Sequence, residues 1–385
     1  MERDMQIYSK IDSVARANGE NFVNGQNSVG VRYDGNGYTK WELWLQKNGS
    51  VKDEYLLEPF IIKDTINLWA GGYGWGKSTI AINVAIHLAA LWVADPDEPN
   101  ARNLLAVDGK DEWCGLPIFR PNGEVLYITE ETERNCAIRW RRMLNAYGLS
   151  AEERLLLNGG ITSVTFDHLR KRYKRDVFKG ILEAVTEREA GLVVVDTFGH
   201  LIGDNINDYS VITQAFQGLQ PVLDAGCTVL LIDHTAKQYY SENEGQQEGL
   251  TPIGSGQKLG QARHLTTIRF IDRITTADPH CRGIAVRMEI TKSNHTETGV
   301  SKDFDLLFDS DTDSQWISPS SLRGLDGEIV ELLKERGQMK RKDIVEELDK
   351  PKDIIKKRLS ALVRAGKIVS PKYGYYAYNQ QEARK

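Results

Sequence analysis

Cysteine is scarce in this sequence and carries no pattern. Four residues in 385 (Cys114, Cys136, Cys227, Cys281) are scattered with no CxxC spacing. That excludes a disulfide scaffold and leaves reduced thiols in a cytoplasmic protein as the expectation. No His/Cys cluster has zinc-ligand spacing, so a structural zinc site is excluded as well. Long apolar runs are missing: no stretch of 18 or more could span a bilayer. The opening "MERDMQIYSKIDSVARANGE" has no apolar core of the kind a signal peptide needs. Internal repeats and low-complexity segments are also absent. What remains is 41% hydrophobic and 27% charged residues, the composition of an ordinary globular protein, in a chain long enough for one large domain with a smaller appendage.

Charge is unevenly spread. Residues 322–385 hold sixteen Lys and Arg against ten Asp and Glu, a surplus of six positive charges, and the net charge of −5 leaves −11 for the rest. A basic tail on an acidic body suits an anionic partner, although a solvated lysine-rich helix face explains the charge equally well.

The expected organisation has four parts. Residues 1–60 form an N-terminal segment, with a short helix near Met5–Ala17 and hairpin signals in "SVGVRYDGNGYTKWELWLQKNGSV", or an oligomerisation arm. Residues 61–310 form an α/β core. The short runs "INLWAG", "EVLYITEE", "GLVVVDTFG" and "CTVLLIDHT" are rich in Val, Ile and Leu and bounded by turn residues. They read as strands of a mostly parallel sheet covered on both faces. "HLTTIRFIDRI" and "GIAVRMEITKS" read as an antiparallel hairpin extending it. Residues 311–322 read as a linker. Residues 323–378 carry three helical segments and a short alternating hairpin, the pattern of a winged helix-turn-helix.

The sharpest signal is "AGGYGWGKST". Gly71-x4-Gly76-Lys77-Ser78 satisfies the P-loop pattern, placed between an apolar strand and a helix. Glycines let backbone N–H groups close on phosphates, and the helix that follows turns its positive end to the same anion. Gly71, Gly72, Gly74, Gly76, Lys77, Ser78 and Thr79 are the candidate nucleotide-binding residues. Lys77 would reach the β- and γ-phosphates and Ser78 would hold Mg²⁺. Tyr73 and Trp75 are unusual in such a cradle; they are expected to face a neighbouring subunit or to cover the nucleotide.

Ligands of open α/β sheets bind at the carboxyl ends of strands. Asp196 ends "GLVVVD" and would share the Mg²⁺. Glu130 and Glu131 end "EVLYITEE". Because strand side chains alternate, only one of the two should face the nucleotide, where a carboxylate could orient a water and take its proton. Asp233 and His234 end "TVLLIDH", where a polar side chain could report the γ-phosphate; a merely structural histidine is the alternative.

With these strands in this order, residues 58–309 resemble the RecA-like ATPases, and among them the plasmid RepA-type hexameric helicases and their phage and mobile-element relatives. The resemblance implies an α/β RecA-like fold and ATP with Mg²⁺ bound at subunit interfaces of a homo-oligomer, a hexamer by this likeness. It implies Glu131 as the catalytic glutamate and His234 as a sensor. Arg263 (in "GSGQKLGQARHLTTIRF") and Lys292 (in "MEITKSNHTETG") become candidates for a cation acting on the neighbouring subunit's γ-phosphate, with Arg287 a third. Related helicases carry Lys-x-Arg where this chain has Lys292, Ser293 and Asn294. Family members often place an arginine where Ile253 stands, so the sequence does not decide among the three. By the same likeness, segments near 202–209 and 237–252 would line a channel for single-stranded DNA. Lys237, Tyr239 and Tyr240 suit phosphate and base stacking, and an ordinary loop is the alternative.

In the tail, Lys352, Lys356, Lys357, Arg358 and Lys372 are candidate duplex-DNA contacts on the third helix and wing, with a protein-interaction domain as the alternative. Ile354, Ile355, Leu359 and Leu362 are expected in that helix's core. Three function classes stay open from sequence: a helicase or translocase, a recombination mediator or loader ATPase that does not unwind, and an ATP-gated DNA-binding regulator.

Overall fold

A computed structural model describes residues 54–94, 103–106, 109–173, 176–203, 208–235, 258, 260–276, 278–320, 324–364, 367–372 and 374–379. The helix expected near Met5–Ala17, the hairpins before residue 54 and the second channel segment, with Lys237, Tyr239 and Tyr240, lie outside these residues.

The strands are β1 (Tyr55–Leu57), β2 (Ile61–Ile62), β3 (Ile66–Gly71), β4 (Glu112–Trp113), β5 (Leu116–Pro117), β6 (Glu124–Thr129), β7 (Ile161–Thr165), β8 (Ala190–Asp196), β9 (Thr228–His234), β10 (His264–Thr275), β11 (Cys281–Ser293), β12 (Ser301–Asp309) and β13 (Ser314–Pro319). The helices between them are α1 (Lys77–Val93), α2 (Glu133–Ala146), α3 (Ala151–Asn158), α4 (Phe166–Arg172), α5 (Val177–Arg188), α6 (Phe198–Ile202) and α7 (Tyr209–Asp224). The central sheet has nine strands in the order β13-β12-β11-β10-β3-β9-β8-β6-β7. The six from β10 to β7 pair in parallel, and β10 to β13 form an antiparallel extension. The sheet is thus α/β and mostly parallel, as the apolar runs suggested.

Period-two alternation sorts each parallel strand between two cores. Trp69, Leu192, Val194, Leu230 and Ile232 join a cluster with α1 and Met143 of α2. Leu68, Val193, Val195, Val229 and Leu231 join the opposite cluster with α5 and α7. A strand buried on both faces needs apolar residues at every position, which is why these segments read as unbroken Val/Ile/Leu runs.

Two expected boundaries move. Leu56, Leu57 and Phe60 are fully buried in the first cluster, so the core begins before residue 61. Residues 314–319 are not a linker but β13, paired with β12 from Phe304↔Pro319 to Asp309↔Ser314. The polar composition that reads as a linker belongs to an edge strand, whose residues are mostly only half-buried.

The C-terminal segment contains α8 (Gly324–Arg336), β14 (Met339–Lys340), α9 (Arg341–Leu348), α10 (Lys352–Arg364), β15 (Ile368–Lys372) and β16 (Tyr375–Tyr378), with a small sheet ordered β14-β16-β15. It has its own core, including Ile329, Leu333, Ile344, Ile355, Leu359, Leu362 and Ile368. Ile354 does not join it and is 47% exposed. Positions 355, 359 and 362 recur at helical spacing on one stripe, and residue 354 sits about 100° away from it.

Burial makes the main core sensitive to acid. Desolvation holds the His87 imidazole on α1 at about 4, against an ordinary 6.5. The unfolded chain takes up this proton near the ordinary value and the folded chain only near the lower one. Acid therefore favours unfolding between them, and stability present above that window is lost as pH falls through it. Between pH 7 and pH 5, His87 is expected to remove about 2 kcal/mol, read from urea unfolding at both pH values. His87→Gln should flatten that difference; an unchanged slope would show that other groups carry it.

Candidate nucleotide site

The P-loop leaves the end of β3 and enters α1. Gly76 caps the helix at φ 79° and Gly74 turns at φ 75°, both left-handed. A Cβ on Gly76 would stand 2.1 Å from a methyl of Leu306 on β12, a flexible side-chain end that can shift, so it is the left-handed conformation that calls for glycine there. The first turn of α1 has no acidic residue and Gly76 supplies no side-chain cap, which leaves the positive helix end for an anion.

Lys77 is the centre of the site. Its buried Nζ donates to Gly71 O (3.0 Å) and Gly72 O (2.8 Å), and lies 3.0 Å from His234 Nδ1. An ammonium group has three donors and no acceptor, so Nδ1 accepts the third bond and the neutral imidazole carries its proton on Nε2. Desolvation lowers Lys77 to about 8, opposed by Asp196, Asp233 and Glu130. Desolvation, then Lys77 and Lys258, lower His234 to about 4, which keeps it neutral at physiological pH. Parallel register places Gly71 directly beside His234, so adjacent strands deliver the lysine and the histidine together.

Asp196 ends β8 and is buried. Its Oδ2 accepts a 2.7 Å hydrogen bond from Tyr127 OH on β6. Asp196 and the Ser78 hydroxyl offer hard oxygen donors, the chemistry Mg²⁺ takes.

The two glutamates part company at the end of β6. Glu130 continues the ladder, its N–H donating to Asp196 O at 2.9 Å. Its Oε2 lies 3.1 Å from His200 Nδ1 and accepts from Thr197 Oγ1 at 3.3 Å. Its charge is also among those acting on Lys77. Glu131 begins the turn into α2: its N–H bonds Thr129 Oγ1, and its carboxylate pairs with Arg139 of α2 at 2.7 Å. Burial raises Glu131 above the usual carboxylate range, opposed chiefly by Arg139. Of the pair, Glu130 is the one whose charge acts on Lys77, while the Glu131 carboxylate is held by Arg139.

Beside His234, Asp233 points the other way into a fully buried ion pair with Lys258 at 2.6 Å, with the Lys258 ammonium 5.1 Å from the Phe198 ring centroid. Burial raises Asp233, and Lys258 opposes that shift. Sequence reading missed Lys258 and Tyr127. A lysine in "GSGQKLGQ" gives no sign of burial, and a tyrosine inside an apolar strand reads as core.

Two of the three candidate trans-acting cations are not at this subunit's own cradle. β10 pairs with β3 from His264↔Asn67 to Ile268↔Gly71, and Leu265 faces Lys292. Arg263 and Lys292 thus lie where β3 begins, roughly 13 Å of strand from the P-loop end. Arg263 is exposed, and Lys292 Nζ donates to Ala262 O at 2.7 Å. Arg287 makes a two-pronged ion pair with Asp303 at 2.7 and 2.8 Å. In the tail, Lys352, Lys356 and Arg358 are exposed on α10, and Lys372 Nζ lies 4.0 Å from the Tyr375 ring centroid.

Among solved structures, the chain resembles a KaiC-like protein from the hyperthermophilic archaea Pyrococcus horikoshii OT3, at 17% identity over 70% of this chain and 98% of that one, with a TM-score of 0.39. It also resembles the RadB recombinase, at 13% identity over 68% and 93%, with a TM-score of 0.39. Superpositions this loose bear on neither fold nor function. No curated protein matches. The family described as an AAA domain matches residues 44–239, which run from before β1 through the P-loop, the Asp196 strand and the His234 strand. That span is half of the chain and contains every described side chain that meets Lys77, and by it this protein belongs to the AAA-domain family.

Proposed function

We propose that this protein is a RecA-like ATPase that hydrolyses ATP at subunit interfaces to drive a DNA helicase or translocase of a plasmid, phage or other mobile element. The observation that carries the hydrolytic reading is the convergence of Lys77, Asp196, Glu130 and His234 at adjacent strand ends. Lys77 exchanges its carbonyl and imidazole partners for β- and γ-phosphate oxygens. His234 presents its Nε2–H toward the γ-phosphate. Glu130 orients the attacking water and accepts its proton, taking the role that family resemblance assigned to Glu131. Ser78 and Asp196 would hold Mg²⁺, and Tyr127 keeps the Asp196 carboxylate oriented. When bound, the metal neutralises charge on the phosphates.

Arg263 and Lys292 support a multi-subunit site. They lie away from this subunit's own P-loop, where a cation serving a neighbour's nucleotide would stand, in keeping with a homo-oligomer such as a hexamer. The tail's three helices and small sheet follow the order of a winged helix, and exposed Lys352, Lys356 and Arg358 on α10 suit duplex-DNA phosphates. Lys357 lies in the same run. The central channel would take single-stranded DNA, with Lys237, Tyr239 and Tyr240 as contacts.

The test is strand displacement by the full chain with ATP and Mg²⁺ on forked duplexes of both polarities, alongside ATP turnover with and without single-stranded DNA. Displacement that requires hydrolysis is expected. DNA-stimulated turnover without displacement would overturn the helicase reading and leave a loader or mediator. Tight sequence-specific duplex binding without stimulation by single strands would point instead to an ATP-gated regulator.

A further inference from the structure

The tyrosine of the P-loop does not turn away from the site. The Tyr73 ring stacks on the His234 imidazole with centroids 3.8 Å apart and planes 15° from parallel. The Lys77 ammonium lies 5.9 Å from the Tyr73 centroid and 3.0 Å from His234 Nδ1. Two constraints therefore meet on one imidazole. The lysine takes Nδ1 in the ring plane and the tyrosine covers a face. A hydrogen bond alone leaves a ring free to tilt about the bond axis; a stacked neighbour removes that tilt. Tyr73 itself is 53% exposed and stands between Gly72 and Gly74. It therefore contributes little to the core, and its ring face packs on His234.

The chain path makes this contact informative. His234 ends β9 and Tyr73 sits in the loop after β3, so the stack ties the loop that receives phosphate to the strand end beside it. Any rearrangement of the loop around an occupant is transmitted to the imidazole plane.

We propose that Tyr73 is a positioning residue that holds the His234 imidazole in the plane from which its Nε2–H meets the γ-phosphate, so that the P-loop itself orients the histidine of the neighbouring strand. This rests on the nucleotide-site reading above. Tyr73 contacts no reacting atom; it acts through His234.

Two measurements on the full chain test it. The first uses ring-labelled histidine and nuclear magnetic resonance without nucleotide, with the His234 signals assigned by their loss in His234→Gln. The ring current of Tyr73 should shift those signals upfield in the wild type and in Tyr73→Phe, and Tyr73→Ala should release them. The second is a kinetic cycle with ATP. Tyr73→Ala should lower kcat about fivefold, the scale of an aromatic pairing, with KM changed less than twofold and Tyr73→Phe restoring the rate. In a His234→Ala background, Tyr73→Ala should have no further effect on kcat. His234 signals indifferent to Tyr73→Ala overturn the inference, as does an equal loss of kcat with or without His234, or an effect confined to KM. Absence of ATP turnover in the wild type would overturn the nucleotide-site reading, while the resonance measurement still judges the stack.

Discussion

Lys77→Ala is expected to lower ATP turnover by about 10² to 10³-fold, the loss seen when a preorganised donor at a developing charge is removed. The reason lies in how completely this lysine is committed. All three of its donors are engaged before any phosphate arrives, on Gly71 O, Gly72 O and His234 Nδ1. These partners hold the ammonium at the mouth of the loop, so no reorganisation is needed beyond exchanging them for phosphate oxygens. Its burial makes each exchanged bond stronger than it would be in water. Alanine removes the only side-chain cation of the P-loop sequence "GGYGWGKST". Steady-state phosphate release with and without single-stranded DNA measures the effect, and far-UV circular dichroism confirms that the variant folds. DNA-stimulated hydrolysis persisting at the wild-type rate would sink the P-loop assignment.

The second large effect separates two adjacent carboxylates. Glu130→Gln is expected to bind ATP with nearly unchanged affinity and to hydrolyse it about 10² to 10⁴-fold more slowly, the range for loss of a general base. Glu131→Gln is expected to stay within a few-fold of the wild type in turnover. Its carboxylate is committed to Arg139, and its loss disturbs an ion pair whose members are both partly exposed, at 37% and 26%. Nucleotide affinity by fluorescence and single-turnover hydrolysis resolve the two variants. An inactive Glu131→Gln beside an active Glu130→Gln would return the base to the position that family resemblance implied. The distinction is local geometry. Strand β6 continues through the backbone bond of Glu130 to Asp196 and breaks at Glu131, whose N–H is taken by Thr129 as the chain turns toward the Thr132 cap of α2.

Much of this site was legible in the sequence because it is built from short-range patterns. The P-loop is a contiguous run whose glycines and lysine are needed for local reasons: left-handed φ at Gly74 and Gly76, and a helix start at Lys77. The strands β3, β6, β8 and β9 announce themselves because burial on both faces demands unbroken apolar runs, and their last polar residues mark the carboxyl edge where ligands bind. Asp196 and His234 were therefore readable one by one. The hairpin of β10 and β11 was also readable, from two alternating runs around a turn.

Contacts between distant segments were not. Nothing in "EVLYITEE" says that Tyr127 will donate to Asp196, 69 residues away, or that Glu131 rather than Glu130 will be held by Arg139. Asp233 reads as a candidate γ-phosphate contact and Lys258 gives no signal at all, until folding buries both and pairs them with each other. Residues 314–319 looked like a linker because an edge strand meets sheet on one side only and tolerates polar residues. Ile354 looked like core because an isoleucine beside a periodic stripe differs from one within it only by rotation about the helix axis. Local backbone and burial requirements are enough to specify the phosphate loop, the parallel strands and the chemical types at their ends. Folding alone brings Glu131 to Arg139, Tyr127 to Asp196 and Tyr73 to His234, because those contacts depend on register between strands and on the rotation of individual side chains.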